Sequence, residues 1–387
     1  MRRALLAATM IARASALLPV ERFAVAPMMD YTDRHFRALF RLLSNDAVLY
    51  TEMVTANTLV DATGAPRHGD GARWLRDGDA AGKTILQLGG ADPATLAAAA
   101  RLAKDHHAYA GYNLNCGCPS DRVAGSGCFG AALMRDADRV AECAAAMSAV
   151  GPTSIKCRVG VCETVRDLVD DDAQLYDDLA AFVDRVADKG GVTRFVVHAR
   201  CAILAGLSPD ANRKVPPLKA HLVARLAADR PDLEIVTNGE VASVDGVRAA
   251  AAPLAGAMVG RDACRRPWHY ATIDSAVYGT ANPAASRRDA LEAYGAYAAA
   301  VEAEAAGGSY SPRRALLKPL LPLFHGDAGT GAFKRAVDAL HREPLPVRDV
   351  IRAAAERVPD WVLDSAPGVA GRAAAPVAGE AAVGVGR

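Results

Sequence analysis

Eight times between Phe23 and Arg261 the sequence repeats one pattern: a short apolar run, a polar residue or glycine where the run stops, then a stretch of helical character. The runs are FAVAPM (23–28), AVLYTEM (47–53), TILQL (84–88), YNLN (112–115), TSIKCR (153–158), TRFVVH (193–198), EIVT (234–237) and GAMV (256–259). Strands that are apolar along nearly their whole length are buried on both faces, as in a parallel sheet covered by helices. Eight of them within residues 21–280 favour an α/β fold of the closed (β/α)8 TIM-barrel type over an open doubly wound sheet. No GxGxxG opens the first unit, which argues against a dinucleotide-binding Rossmann domain.

The intervening stretches carry helix punctuation. Thr32 or Asp33 is placed to cap a helix running to Leu43. Asp92-Pro93 opens another, to about His106, with Asp as cap and Pro in the first turn. A helix is expected from Ala137 to Ala149, loop insertions over 61–82, and a solvated acidic helix face within 163–188. After Gly279 the texture changes to Ala/Leu-rich helical runs at 286–306, 314–323, 333–340 and 347–358, so residues 283–361 read as a separate all-helical domain. Residues 367–387 lack periodicity and read as a disordered tail. Residues 1–20 carry Arg2, Arg3 and Arg13 with no acid before Glu21, the composition of a transit peptide or of a disordered extension. The expected location is cytoplasmic, or mitochondrial or plastid if that segment is a transit peptide.

Bulk properties exclude several classes. A formal net charge of +1 leaves any polyanion to a local patch. The eight cysteines form no CxxC pair, and Cys116-x-Cys118 is too tight for the usual zinc spacing. A reduced compartment and no metal are expected, as is a monomer. No window reaches the roughly 18 apolar residues that a membrane span needs.

In a barrel of this type chemistry collects at the C-terminal ends of the strands. Those ends offer Pro27, Met28 and Met29; Glu52; Gln87; Asn113, Asn115 and Cys118; Lys156 and Arg158; His198 and Arg200; Asn238 and Gly239; Gly260 and Arg261. Singly, each has a plain explanation: Gln87 as a satisfied core amide, His198 as a structural histidine, Asn238-Gly239 as a turn, Arg261 as a surface charge. One polar group per strand end, in chain order, is harder to explain as core filling. Lys156 inside an otherwise apolar strand calls for an anionic partner, because a lone buried ammonium is costly. Backbone amides after the seventh and eighth strands are where barrels commonly hold phosphate. A phosphate site with a lysine beside it suggests flavin mononucleotide (FMN), Lys156 lying near the electron-rich edge of the reduced ring.

The most distinctive stretch is NLNCGCPSDRVAGSGCFGAALM (113–134), in which Cys118 is fixed between Gly117 and Pro119 just past a strand end. Glycine permits close backbone approach and proline ends the strand. A cysteine held there serves as a proton donor or nucleophile, or is a buried structural residue of a turn.

With APMMDYTDRHFR (26–37), YTEM (50–53), LQLGG (86–90), IKCR (155–158), HAR (198–200), GLSPDANRKVPPL (206–218), NGE (238–240) and MVGR (258–261), the chain resembles the tRNA-dihydrouridine synthases, and GLSPDANRKVPPL after HAR resembles their A-type branch. The resemblance implies a flavin barrel followed by a helical tRNA-binding domain. NADPH would reduce FMN, hydride would pass to C6 of uridines 20 and 20a in the tRNA D-loop, and Cys118 would protonate C5. Pro27, Met28, Met29, Gln87, Lys156, His198, Asn238, Gly239, Gly260 and Arg261 would bind FMN. Asn115, Arg158 and Arg200 would orient the uracil or neighbouring phosphates. Asn212 and Arg213, with Lys214, and Arg313, Arg314, Lys318, Lys334 and Arg335 would contact tRNA. Cys116, Cys128, Glu240 and Lys318-Pro319 depart from the family pattern, and either extra cysteine is a candidate disulfide partner for Cys118 under oxidation. The competing functions are an FMN-dependent dehydrogenase of free pyrimidines, of the dihydroorotate type, and a non-catalytic tRNA-binding protein.

Overall fold

A computed structural model describes residues 18–67, 72–75, 82–119, 129–168, 171–251, 254–306 and 311–369. Eight strands form the barrel: β1 (Phe23–Val25), β2 (Val48–Tyr50), β3 (Thr84–Gly89), β4 (Gly111–Asn115), β5 (Thr153–Arg158), β6 (Arg194–His198), β7 (Glu234–Asn238) and β8 (Gly256–Val259). Each pairs in parallel with the next, and β8 closes on β1 with Val259 opposite Val25. The strands follow the sequence runs closely, so the (β/α)8 expectation holds.

Alternation along each strand sorts side chains into two cores. Outward-facing Leu86, Leu88, Leu114, Ile155, Phe195, Val197 and Ile235 pack beneath the helices. Inward-facing Ala24, Val48, Ile85, Val196, Val236 and Met258 fill the barrel. Its floor is polar: buried Arg194 pairs with Glu21 (3.2 Å) and with Glu234, and the Tyr50 hydroxyl donates to Glu21. These groups satisfy one another, so the floor is closed and the polar strand ends open only at the opposite face.

The helices start where their caps dictate. Asp33 Oδ1 accepts from the backbone amides of His35 (3.0 Å) and Phe36 (2.8 Å) to open α1 (Arg34–Leu43). Asp92 accepts from Thr95 N to open α2 (Pro93–His106), and Asp136 opens α3 (Ala137–Ser148). The acidic stretch becomes α4 (Asp172–Gly190), capped by Asp171 and ended by left-handed Gly191.

The chain divides into two compact units, residues 1–283 and 284–387. The second contains helices Arg287–Ala305, Arg313–Leu317, Thr330–Leu340, Val347–Ala355 and Asp360–Leu363. Its core is aliphatic and aromatic, with Phe324 and Phe333 ring centroids 4.9 Å apart. The helix expected over 314–323 ends at Leu317, because Pro319 has no N–H to continue it and Lys318–Leu320 tightens into a 3-10 turn. The short helix Asp360–Leu363 was not expected from the sequence. No helix among the described residues is long and apolar enough to cross a membrane. The readings of a transit peptide or extension at 1–20, apart from residues 18–20, and of a tail at 367–387, apart from 367–369, fall outside the described residues, as does Cys128.

Candidate active site

Inward-facing positions of β3, β4 and β5 carry amides and a hydroxyl instead of aliphatics, and these join into one ladder. Gln87 Nε2 donates to Asn113 Oδ1 (2.8 Å), and Asn113 Nδ2 donates to Ser154 Oγ (2.9 Å). Asn115 Nδ2 donates to Gln87 Oε1 (3.0 Å). Asn115 Oδ1 then accepts from the backbone amides of both Gly117 and Cys118 (3.0 Å each). Cys118 is therefore held in a turn closed by a side chain whose other end is locked into the barrel. Arg158 grips the same turn, Nε donating to Gly117 O (2.8 Å), and ties it to the 201–212 segment through Nη1 bonds to Cys201 O (3.0 Å) and Asn212 O (3.1 Å).

Around this turn the charge is one-sided. Lys156 Nζ donates to Asn238 Oδ1 (3.1 Å), and Asn238 Nδ2 donates to Met258 O (2.8 Å). Among the described residues no carboxylate pairs with Lys156 or Arg158. Burial, with Arg158 and Arg213 nearby, pulls the Lys156 ammonium down to about 8, and burial first of all lowers Arg158 to about 10. His198 is 9% exposed and held well below the usual histidine range, first by burial and then by Arg158, Lys156, Arg200 and Arg213. Burial and these cations favour the neutral imidazole, and among the described residues its buried Nδ1 has no hydrogen-bond partner. The buried Arg200 Nε likewise has none. Gly239, at φ +123°, brings backbone close to His198: a Cβ there would sit 3.7 Å from His198 Nε2 and 3.1 Å from Leu218. Gly260 lies beside Met28, whose sulfur would be 3.8 Å from an added Cβ. The mouth thus combines a positioned thiol, unneutralised cations, orphan polar atoms and bare backbone, an arrangement suited to an anionic, hydrogen-bonding cofactor and a reaction needing a proton.

The match to a family model described as dihydrouridine synthase runs over residues 24–344. The chain belongs to the dihydrouridine synthase family. It is 41% identical over 341 residues to a tRNA-dihydrouridine(20/20a) synthase of Xanthomonas campestris, covering 88% of this chain and 94% of that one. It is 42% identical over 339 residues to a protein of that name from Pseudomonas putida, covering 86% and 93%. Against the Escherichia coli protein of that name it is 39% identical over 328 residues, covering 84% and 92%. Among solved structures it is similar to morphinone reductase at a TM-score of 0.42 and 13% identity, over 67% of this chain and 86% of that one.

Within this dihydrouridine synthase fold, several of the expected site residues have protein partners. Asn115, expected at the uracil, spends its amide on the Cys118 turn and Gln87. Arg158, also expected there, spends Nε and Nη1 on backbone carbonyls. Asn212, expected at the tRNA, is fully buried, its amide bonded to Ile203 N (2.7 Å), Ile203 O (2.9 Å) and Leu207 O (3.4 Å). It pins the 206–218 loop. Met29, expected at the cofactor, is 58% exposed, whereas Pro27 and Met28 are partly buried. Arg261 reaches Asp210 (3.3 Å), which also pairs with Lys214 (2.6 Å) and Arg213 (3.6 Å). Arg314 and Lys318 are exposed in the helical unit.

Cys116 is fully buried in the outer core, its thiol pushed far up by burial and by neighbouring Cys157 and Cys143. Both Cys116 and Cys118 are free thiols, and the alternation of β4 sends Cys116 away from the mouth, so its departure from the pattern is one of packing. One group at the mouth escaped the sequence reading, and a second was named without its partner. Ser154 anchors the amide ladder; its signal was its two-residue spacing from Lys156 on an inward face. Glu240 was noted only as an oddity, and its partner Arg200 became evident only in three dimensions. Among the described residues no group of three or more His, Cys, Asp or Glu side chains is arranged to hold a metal.

Proposed function

We propose that this chain reduces uridines 20 and 20a of the tRNA D-loop to 5,6-dihydrouridine, with FMN as its cofactor and NADPH as the reductant. The observation that carries the proposal is the convergence of an unneutralised Lys156, the orphan His198 Nδ1 and the Asn115-held Cys118 on one barrel mouth. The residues fit a flavin mononucleotide. Lys156 and His198 offer donors with open valence, Gln87 and Asn238 are amides on the same rim, and Pro27, Met28, Gly239, Gly260 and Arg261 line the adjoining strand ends. When bound, the flavin would supply the hydride for C6 of the uracil ring.

The chain's own residues do the rest. Hydride addition to a C5=C6 bond conjugated to a carbonyl puts enolate character on C5 and O4. Cys118 donates its proton to C5 and is then reprotonated from solvent. Such general acid catalysis contributes about 10²–10⁴-fold. Arg200, with Nε uncommitted, donates to a uracil carbonyl and stabilises the developing charge. Asn115 and Arg158 fix the turn that aims the thiol, as positioning residues. Drawing the uridine out of the tRNA fold costs a few kcal/mol of stacking, and Arg213, Lys214, Arg314, Lys318, Lys334 and Arg335 repay it through phosphate contacts.

The test combines the visible spectrum of the purified protein with nucleoside mass spectrometry after NADPH and unmodified tRNA are added. A yellow protein that forms dihydrouridine is expected. Cys118→Ala should keep the colour and lose about 10²-fold or more of the rate. A yellow protein inert on tRNA yet active on a free pyrimidine would overturn the tRNA reading, and a colourless one that binds tRNA would overturn the enzyme reading.

A further inference from the structure

Glu240 follows Gly239 at the end of β7 with φ +56°, in the left-handed region that glycine enters freely and a residue with a side chain does not. The position nevertheless carries a carboxylate. That carboxylate pairs with Arg200, which also donates to Pro216 O. Arg200 is 6% exposed, so without a counter-charge it would be a buried, unpaired guanidinium. The pair leaves Arg200 Nε buried and without a partner among the described residues, two residues along the chain from His198 and its own orphan Nδ1. Lys156 and Arg158 stand on the neighbouring strand with no carboxylate partner among the described residues. A concave mouth lined by cations concentrates anions of any kind, whereas a uracil ring is neutral and offers only carbonyl acceptors and an N–H.

We propose that Glu240 is a specificity-determining residue: by neutralising Arg200 while leaving its Nε donor free, it tunes the mouth to a neutral nucleobase and turns away free phosphate-bearing anions. The proposal rests on the assignment of this mouth to uridine reduction. Discrimination of this kind works through the repulsive element, since the same donor without its counter-charge serves an anion better than a carbonyl.

The test uses the protein as purified with its cofactor, alongside Glu240→Gln, which keeps the side-chain shape, and Glu240→Gly, which also relieves the left-handed backbone. Inorganic phosphate is titrated by calorimetry at constant ionic strength, and phosphate inhibition of dihydrouridine formation is measured in parallel. Both variants should bind phosphate about tenfold tighter than wild type, a difference of about 1.4 kcal/mol. Phosphate should raise their apparent KM for tRNA more than it lowers kcat. Unchanged phosphate affinity in both variants overturns the proposal, and so does a collapsed melting transition in both, which would give Glu240 a purely structural role. A wild-type protein that makes no dihydrouridine overturns the assignment of the reaction, and the calorimetric comparison then still decides the anion discrimination.

Discussion

Lys156 shows how one residue ties site to stability. Its ammonium is held near 8 against an ordinary 10.5, first by burial and then by Arg158 and Arg213, with no carboxylate among the described residues to offset them. Between those values the unfolded chain keeps a proton that the folded chain releases, so stability should rise with pH across about 8 to 10.5 in flavin-free protein. Below that window the folded state must carry the charge unpaired. Lys156→Met should remove this rise, raise the melting temperature near pH 7.5 by about 2–4 °C and abolish flavin retention. Melting curves across pH check the first two effects and the visible spectrum the third; a slope unchanged by the substitution would refute the account. Asn115 belongs at the same scale. Asn115→Ala should leave the protein yellow but cut kcat by about 10-fold or more, because the Cys118 turn loses two amide contacts. At this scale the sequence showed which residue types gather at the mouth, since strand ends can be read from apolar runs. It could not show which face each other, nor that Asn115 and Arg158 are bonded to the Cys118 turn.

The elements were legible where period and caps agreed. Asp33, Asp92 and Asp136 mark helix starts that a run of side chains alone would blur. The loops were not legible, because their conformation is fixed by single long-range bonds. The 206–218 loop depends on Asn212, whose amide replaces backbone pairing with Ile203 and Leu207. Asn212→Ala would leave buried Ile203 N–H and C=O groups unpaired, at about 1–3 kcal/mol each. We expect a lower melting temperature and faster proteolysis within 203–218. A weakened Arg158 contact at Asn212 O should also lower turnover with little change in flavin content. Limited proteolysis followed by mass mapping checks this, and cleavage confined to other segments would contradict it. The break at Pro319 teaches the same lesson from the other side, since the apolar period continued past a residue whose missing N–H ended the helix.

At the scale of the whole molecule the near-zero net charge, +1, decides how tRNA binding must work. No global field draws a polyanion to this chain, so affinity has to come from local cations acting at short range. Exposed Arg314, Lys334 and Arg335 sit in the helical unit, while Arg213, Lys214 and Arg261 surround the lone carboxylate of Asp210 in the barrel unit. Contacts of this kind release counterions, and log affinity should fall linearly with log salt. Each phosphate contact removed should flatten that line by about 0.7–0.9. Replacing Lys334 and Arg335 together by Gln should therefore reduce the slope by about 1.4–1.8 if both touch phosphate. Flavin content and the Cys118-dependent rate at saturating tRNA should stay unchanged, because neither residue belongs to the barrel mouth. Filter binding at several salt concentrations measures the slope. A loss of affinity with an unchanged slope would mean that the helical unit acts on tRNA through shape rather than charge, and would move the electrostatic work to the Asp210 cluster. There the reverse change, Asp210→Asn, should tighten binding and steepen the slope by freeing Arg213 and Lys214, which now share one carboxylate with Arg261.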